Sequence, residues 1–475
     1  MTDVATRRAR VSRKAGMNVA WRVACFPLLA NLVAIAPCAS ETLPEALVKA
    51  YQTNPQLNAE RARQRGTDEN VPQALAGYRP QIVASLSAGL QAVRNLLPDN
   101  SVQTATLRPW QIGVTVNQVL YNGNKTANSV RVAEFQVKSG REALRNAGQG
   151  VLLDAVTAYM NVLAGQALVE AQRANVAVLR EIQATTKRRL EAGDVTPTDT
   201  AQAEARVSRG LADLNAAEVA FAIAKETYTQ VIGEAPSQLA AASTVDNLSP
   251  NGLAAVKQTA GHEHPAILGA AYDVDVAQTT IKVAESSLLP TVSVQASASR
   301  AVQTDQTLTT TSTDQASVIG QLNVPIYDGG TAASQTRQAK EMASQSRMVL
   351  EQVRNQTRTA VVSAWVSNEG TKVALAAAES EVHAANIALQ GVRREAAGGQ
   401  RTTIDVLNAQ QDLTNARSRL IQSQRDRVIA SYTLLSAVGR LDVQVLKLNT
   451  PDYLPEVHYH QVRDAWHGLR TPSGQ

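Results

Sequence analysis

The sequence predicts an α+β protein, mostly α, built as a tandem duplicated unit of helix, β-hairpin and long helical hairpin. Three observations predict it. Residue pairs recur at a constant offset; two pairs of period-two segments flank polar loops; and two stretches, about 126–191 and 332–397, hold no proline. The duplication is the strongest of these, because a repeat sets the architecture before any element is assigned. Asn54-Pro55 recurs as His264-Pro265 and Pro80 as Pro290, each 210 residues later. Asn117 and Asn323, Tyr121 and Tyr327, Gly123 and Gly329, Ala158-Tyr159 and Ala364-Trp365, Asp199 and Asp405, and Gly233 and Gly439 are all 206 apart. The step between the two offsets places a loop of unequal length between Pro80 and Asn117.

The N-terminal segment stands outside the repeat. Arg7, Arg8, Arg10, Arg13, Lys14 and Arg22 precede or open the apolar run Val23 to Ala36, and small residues follow at Cys38, Ala39 and Ser40. This is the layout of a secretory signal, expected over 1–40. Met17 is an alternative start, and an uncleaved anchor or a lipidated Cys38 are the competing readings. The formal charge of the whole chain is +5. The leader accounts for it, so the remainder is close to neutral and offers no basic surface for nucleic acid. Both cysteines, Cys25 and Cys38, lie in the leader. A chain cut after Ala39 or Ser40 has no thiol for catalysis, disulfides or metal.

Each copy, expected over 41–250 and 251–440, follows one order. A helical stretch (about 42–78 and 252–288) ends at Pro80 or Pro290. In the first hairpin Ile82, Ala84, Leu86, Ala88 and Leu90 alternate with small or polar residues, and Trp110, Ile112, Val114 and Val116 do the same. The second copy has Val292, Val294, Ala296 and Ala298, then Val318, Gly320, Leu322 and Val324. Strands are therefore expected at about 81–94, 106–120, 291–302 and 315–326. Such alternation suits a strand with lipid on one face and water on the other, although a soluble half-buried hairpin has the same local pattern.

Tyr121-Asn-Gly-Asn and Tyr327-Asp-Gly-Gly follow the hairpins, so Tyr121, Gly123, Tyr327, Gly329 and Gly330 mark strand-to-helix turns that need glycine's backbone freedom. The ordered lysine and threonine pattern of a phosphate loop, in which a glycine directly precedes the lysine, is absent there. Helices over about 126–191 and 332–397 would each span roughly 100 Å. Second helices follow at about 197–232 and 403–438. A three-four spacing aligns Val406, Ala409, Leu413, Ala416, Leu420, Ser423, Arg427, Ala430, Leu434 and Ala437 into one coiled-coil seam. Aromatic residues make up 4% of the chain, which suits thin helical walls without a bulky core.

Two hairpins supply four strands, which cannot close a barrel, and a membrane does not tolerate open edges. If the hairpins are membranous, an oligomer is required. The rival is a non-pore periplasmic coiled-coil protein with soluble hairpins. His262-Glu263-His264 lacks the i, i+4 spacing of helix-borne zinc ligands. The tail histidines His458 and His460 lie outside the repeat, with metal binding as their minor reading, and no cofactor is expected. The tail, 441–475, has no assigned role.

The ordered set Asn54-Pro55, Leu120-Tyr121-Asn-Gly, Ile326-Tyr327-Asp-Gly-Gly and Thr402-Thr403-Ile404-Asp405-Val406-Leu407 resembles the TolC-type outer-membrane efflux family over about 42–440. The resemblance implies a homotrimer, a twelve-stranded transmembrane β-barrel in outer-membrane lipid, and a periplasmic α-helical barrel continuing it. It also implies docking to a periplasmic adaptor protein and an inner-membrane ABC transporter. Within the family, the branch that exports RTX-type protein toxins is the expected one, with small-molecule efflux as the alternative. By the same resemblance Asp405 maps onto an acidic ring at the periplasmic entrance, whose second position is Asn408 here. Arg401 and Asp199, with Thr198, map onto a charge link that holds the entrance shut; the tyrosine that assists it is replaced at about Ala396.

Overall fold

The computed structural model describes residues 40–304, 310–472 and 474, and residues 40–475 form one unit. The expected signal segment lies outside the described residues. The first repeat holds α1 (Leu43–Thr53), α2 (Pro55–Asp68), α3 (Asn70–Leu75), β1 (Gln81–Ala88), β2 (Gln91–Leu96), β3 (Val102–Asn122), α4 (Lys125–Glu191) and α5 (Pro197–Ile232). The second holds α6 (Leu253–Glu263), α7 (Pro265–Glu285), β4 (Thr291–Thr304), β5 (Thr310–Asn323), α8 (Thr331–Ala397) and α9 (Thr403–Val438), and the tail adds α10 (Pro455–Val462).

Local chemistry sets the helix breaks. Asn54 ends α1, and its Oδ1 accepts hydrogen bonds from the backbone N–H groups of Gln56 and Leu57 at 2.9 and 3.2 Å. Pro55 then takes the first helical position of α2, where its missing N–H costs nothing. In the second copy His264 does the same work, its Nδ1 accepting from Ala266 N at 3.2 Å. Gly233 and Gly439 end α5 and α9 at φ +94° and +90°. A Cβ on Gly439 would lie 2.7 Å from the Cα of His264.

The strands form one antiparallel sheet in the order β1-β3-β4-β5, with β2 continuing along β3. The first strand was expected to run unbroken over 81–94; it is split at Gly89 and Leu90. Opposite the gap lies Pro109 of β3, which has no N–H to donate, so only its carbonyl bonds across, to Gly89 N at 2.9 Å. The last strand starts five residues earlier than expected and stops at Asn323 instead of 326. Asn323 pairs with Thr291, the first residue of β4, so Val324 to Ile326 have no neighbour to pair with.

The register puts Ile82, Val116, Ala296 and Val318 in one row and Ala84, Val114, Ala298 and Ala316 in the next, all on one face. The opposite face carries Gln81, Ser85, Thr115, Asn117, Gln295, Ser297, Gln315 and Ser317. The apolar face is exposed in this chain, with Leu86 73%, Val318 76% and Ile82 68% accessible. The period-two pattern therefore runs across four strands, interrupted in the row Leu86, Ile112, Arg300 and Asp314, whose last two residues form an ion pair at 2.6 Å. Among the described residues no protein layer covers it. A bulge between Val119 and Tyr121 shifts the register, so that Tyr121 pairs with Val292 and joins the apolar face.

The helices form a single layer rather than a bundle around a common core. Each 67-residue helix, α4 and α8, runs the full length, while shorter helices stack end to end beside it. Nearest the sheet the neighbours run α2, α4, α7, α8; toward the far end they run α5, α4, α9, α8. This order explains the seams. α5 sits at an edge and buries one stripe, Ala203, Val207, Gly210, Tyr228 and Ile232. α9 lies between two helices and buries two. The expected seam holds at Leu413, Ala416, Arg427, Ala430 and Leu434, with Val438 packing beside Leu434 against α6 and α8. A second one, Leu407, Gln410, Thr414, Ser431 and Leu435, faces α4, where Leu407 also meets Ala203 and Val207 of α5.

The largest apolar cluster joins α1, α4, α5, α9 and the tail around Leu47, Leu57, Leu152, Tyr159, Tyr228, Leu435 and Leu441. The Tyr159 hydroxyl lies 2.8 and 2.7 Å from the carbonyls of Glu41 and Ala240, and burial pushes it up to about 12. The most apolar window of α4 reaches a mean hydropathy of 1.3 over 18 residues. Half of that window is buried within the protein, so packing against neighbouring helices accounts for its composition. Arg427, out of place on an apolar seam, bonds Asn368 at 2.8 Å and pairs with Asp246 of the inter-repeat linker. Burial pushes the Asp246 carboxyl up, but hydrogen bonds from Asn368 and Arg427 outweigh it and hold the group below its ordinary value.

Candidate channel entrance

The two helical turns farthest from the sheet are built alike. Gly193 follows α4 at φ +84°, and Gly399 follows α8 at φ +79°. Backbone bonds from Asp194 N to Arg189 O at 2.8 Å and from Gln400 N to Glu395 O at 2.9 Å close the helix ends. Each following helix opens with a capping box. Thr196 and Asp199 form one, Thr402 and Asp405 the other.

Asp405 is thereby fixed. Its Oδ2 accepts from Thr402 N at 2.9 Å and Thr402 Oγ1 at 2.8 Å, while among the described residues its Oδ1 receives no hydrogen bond. The backbone N–H of Thr402, then its hydroxyl, with the charge of Arg401 adding to them, hold the carboxyl below the usual carboxylate range. Asp199 is placed the same way by Thr196, at 2.9 and 2.8 Å, and is lowered for the same reason. Both carboxylates also complement the positive end of their helix. The cap engages one carboxylate oxygen only.

The remaining predicted residues have partners that the sequence did not indicate. Arg401 Nε donates to Glu395 Oε2 at 3.0 Å on its own turn. Within one chain it does not meet Asp199, which its own cap engages, and Thr198 is exposed beside it. Asn408 is exposed and accepts from Arg206 Nη2 of α5 at 2.7 Å, a link between the two repeats. Eight residues along α9 from the Thr402 cap, Gln410 Nε2 donates to Asn175 Oδ1 at 3.2 Å and the Thr414 hydroxyl donates to the same oxygen at 3.0 Å. Arg393 closes this group by donating to Gln410 Oε1 at 3.0 Å. The Asn175, Gln410 and Thr414 cluster is buried between α4 and α9. No spacing in the sequence marks it, because Asn175 lies 235 and 239 residues from Gln410 and Thr414.

At the opposite end of the long helices, the strand-to-helix turns depend on backbone shape. Gly123 has φ +62°, and a Cβ there would lie 2.6 Å from Leu289 Cβ. Gly329 and Gly330 have φ +71° and +87°, and Asp328 accepts from Gly330 N at 3.0 Å and Ala332 N at 2.6 Å to open α8. Tyr327 is 86% exposed and Tyr121 42%, both at the base of the sheet. Among the described residues no group of three or more histidine, cysteine or acidic side chains is placed to hold a metal ion. His458 instead sits 2.9 Å from the buried Asp68.

A sheet with an apolar outer face and a polar inner face, continued by a one-helix-thick wall, defines an outer-membrane channel protein rather than an enzyme. The chain belongs to the outer membrane efflux protein family, whose model matches residues 46–234 and 256–440. It is 41% identical to the outer membrane efflux protein BepC of Brucella suis over 95% of this chain and 97% of that one. Protein CyaE of Bordetella pertussis is 25% identical over 84% of each chain. Among solved structures, the CmeC outer membrane channel of Campylobacter jejuni superposes with a TM-score of 0.74 over 89% of each chain, at 14% identity.

Proposed function

We propose that this protein is the outer-membrane exit duct of a tripartite export system, working as a homotrimer with a periplasmic adaptor protein and an inner-membrane transporter. The observation that supports this reading is that both layers end in open edges. Among the described residues β1 and β5 each have one unpaired side, and the helical layer ends at α2 and α5 on one side and α8 on the other. Copies of the chain placed edge to edge satisfy both at once. Three copies, the number the family resemblance implies, give twelve strands, within the range of closed membrane barrels.

The same edge-to-edge closure gives the gate its location. Asp199 and Thr198 begin edge helix α5, while Arg401 lies on the turn that ends the opposite edge helix, α8. Ring closure sets Arg401 of one copy beside Asp199 of the next. This makes the closing link a contact between protomers, competing with Glu395 for Arg401. Exposed ion pairs contribute about 0–1 kcal/mol each, a range suited to a contact that a docking partner breaks. Asp405, repeated around the axis, forms the acidic ring, and Asn408 beside it carries no charge.

For cargo, efflux of small molecules ranks first, on 41% identity to an efflux protein across nearly the whole chain. Export of an RTX-type protein through an ABC transporter is the second reading, supported by kinship with CyaE. Purified protein reconstituted in planar bilayers tests the duct: stepwise conductance with a heat-sensitive trimer on gels supports it, and a soluble monomer without conductance overturns it. Arg401→Ser should open the entrance and raise single-channel conductance; an unchanged trace would sink the gate assignment. Deleting the gene and scoring antimicrobial sensitivity against the secreted protein profile separates the two cargoes.

A further inference from the structure

The tail beyond residue 440 leaves the helical layer and climbs toward the sheet. Three contacts hold it: Glu456 with Arg141 at 3.1 Å, His458 with Asp68 at 2.9 Å, and Arg463 with Glu134 at 3.7 Å. Val462 is buried beneath it. The path ends at Arg79, whose Nη1 donates to the Ala465 carbonyl at 2.7 Å and whose guanidinium lies 4.7 Å from the centre of the Trp466 ring. Arg79 stands two residues before β1, and Ile82 is the first exposed residue of the apolar face. Three residues of extended chain, about 10 Å, therefore separate the Trp466 anchor from the lower edge of that face. Trp466 is 69% exposed and Leu469 fully so. Among the described residues, Arg79 meets the Trp466 ring and no apolar cluster takes up either Trp466 or Leu469.

We propose that the Trp466–Leu469 segment is a membrane-interface anchor, seating in the headgroup region of the inner leaflet at the root of the barrel. Tryptophan is favoured there because its ring is apolar while its N–H is polar, and Arg79 and Arg470 supply positive charge for lipid phosphates. The segment continues the apolar face at a level where the sheet itself presents Tyr121. At the other end of that face, Trp110 on β3 is the matching aromatic. Between Tyr121 and Trp110 the strand advances about 37 Å, or roughly 28 Å in height at a 40° tilt, close to the ~25 Å apolar band of outer-membrane barrels.

This inference rests on the outer-membrane reading, and one experiment separates the two. The chain has four tryptophans, Trp21, Trp110, Trp365 and Trp466. Full-length single-tryptophan variants, with the other three replaced by phenylalanine, are reconstituted in vesicles containing phospholipids brominated near the headgroup. Trp110 and Trp466 should lose emission to a similar extent, and Trp365, far down α8, should lose none. Quenching of Trp110 without Trp466, with Trp466 open instead to aqueous acrylamide, overturns the anchor alone. Absence of quenching at Trp110 overturns the membrane reading itself. Arg79→Gln in the Trp466-only protein should reduce lipid quenching and raise acrylamide quenching, whereas a Trp466 seated independently of Arg79 would show no change.

Discussion

At the scale of single residues, the repeat assigns equivalent jobs to chemically different side chains. Asn54 and His264 both end a short helix and cap the next through a side-chain acceptor. An amide accepts at any pH, whereas His264 accepts only while neutral. Burial, with the nearby charge of Arg145 adding to it, holds its pKa below the ordinary histidine range. The unfolded chain then takes up the proton more readily than the folded one. The contribution of His264 is full above about pH 6.5, the unfolded value, and is lost as pH falls through the lowered folded value. His264→Asn should therefore become progressively more stable than wild type as pH falls from 7.5 to 5, read from urea midpoints. A constant difference between the two proteins would refute it. Gly439 carries the opposite kind of constraint, since its φ of +90° and the His264 backbone leave no room for a Cβ. Gly439→Ala should cost about 1–3 kcal/mol, measured as a shift in denaturation midpoint.

At the scale of elements, the long helices were legible in the sequence and their packing was not. Proline-free length, Pro197, the threonine and aspartate of each cap, and glycine at the ends are local signals, and a helix obeys them wherever it lies. The second seam of α9 was missed because Gln410, Thr414 and Ser431 are polar and an apolar-stripe search passes over them. Burying them is tolerable only because Asn175 meets two of them from α4. Asn175→Leu should leave Gln410 and Thr414 without that acceptor and cost about 1–3 kcal/mol. The triple change Asn175→Leu, Gln410→Leu, Thr414→Val should recover most of the loss. A triple variant no more stable than the single one would show that shape, not hydrogen bonding, governs the site. The strand break at Pro109 was in principle readable, since proline cannot donate to a ladder, but the facing residue was known only once β1 and β3 were paired.

At the scale of the whole molecule, the acidic ring proposed at Asp405 would be a property of the assembly, since each chain supplies one such carboxylate. Each Asp405 is held by its own cap, so its charge persists through the ordinary carboxylate range and is lost only at lower pH. In bilayers, cation preference measured from reversal potentials should survive acidification to about pH 4, the ordinary carboxylate value, and decline below it. Asp405→Asn should reduce that preference at neutral pH; full retention would move selectivity to another part of the tunnel.

By itself, the sequence determined the duplication, the element order and the alternation along each strand. These follow from local backbone preference and from hydrophobic period, both written in neighbouring residues. Only the tertiary structure decided the lateral order of the helices, the partners of Arg401 and Asn408, the ion pair of Arg427 with the linker, and the course of the tail to Arg79. Each joins residues from separate elements, and no local pattern encodes which distant side chain completes a hydrogen bond or covers an exposed ring. The clearest case is Arg427. Its place on an apolar seam looked like an interruption until the fold brought Asp246 within reach, where a charge too costly to bury alone is paired.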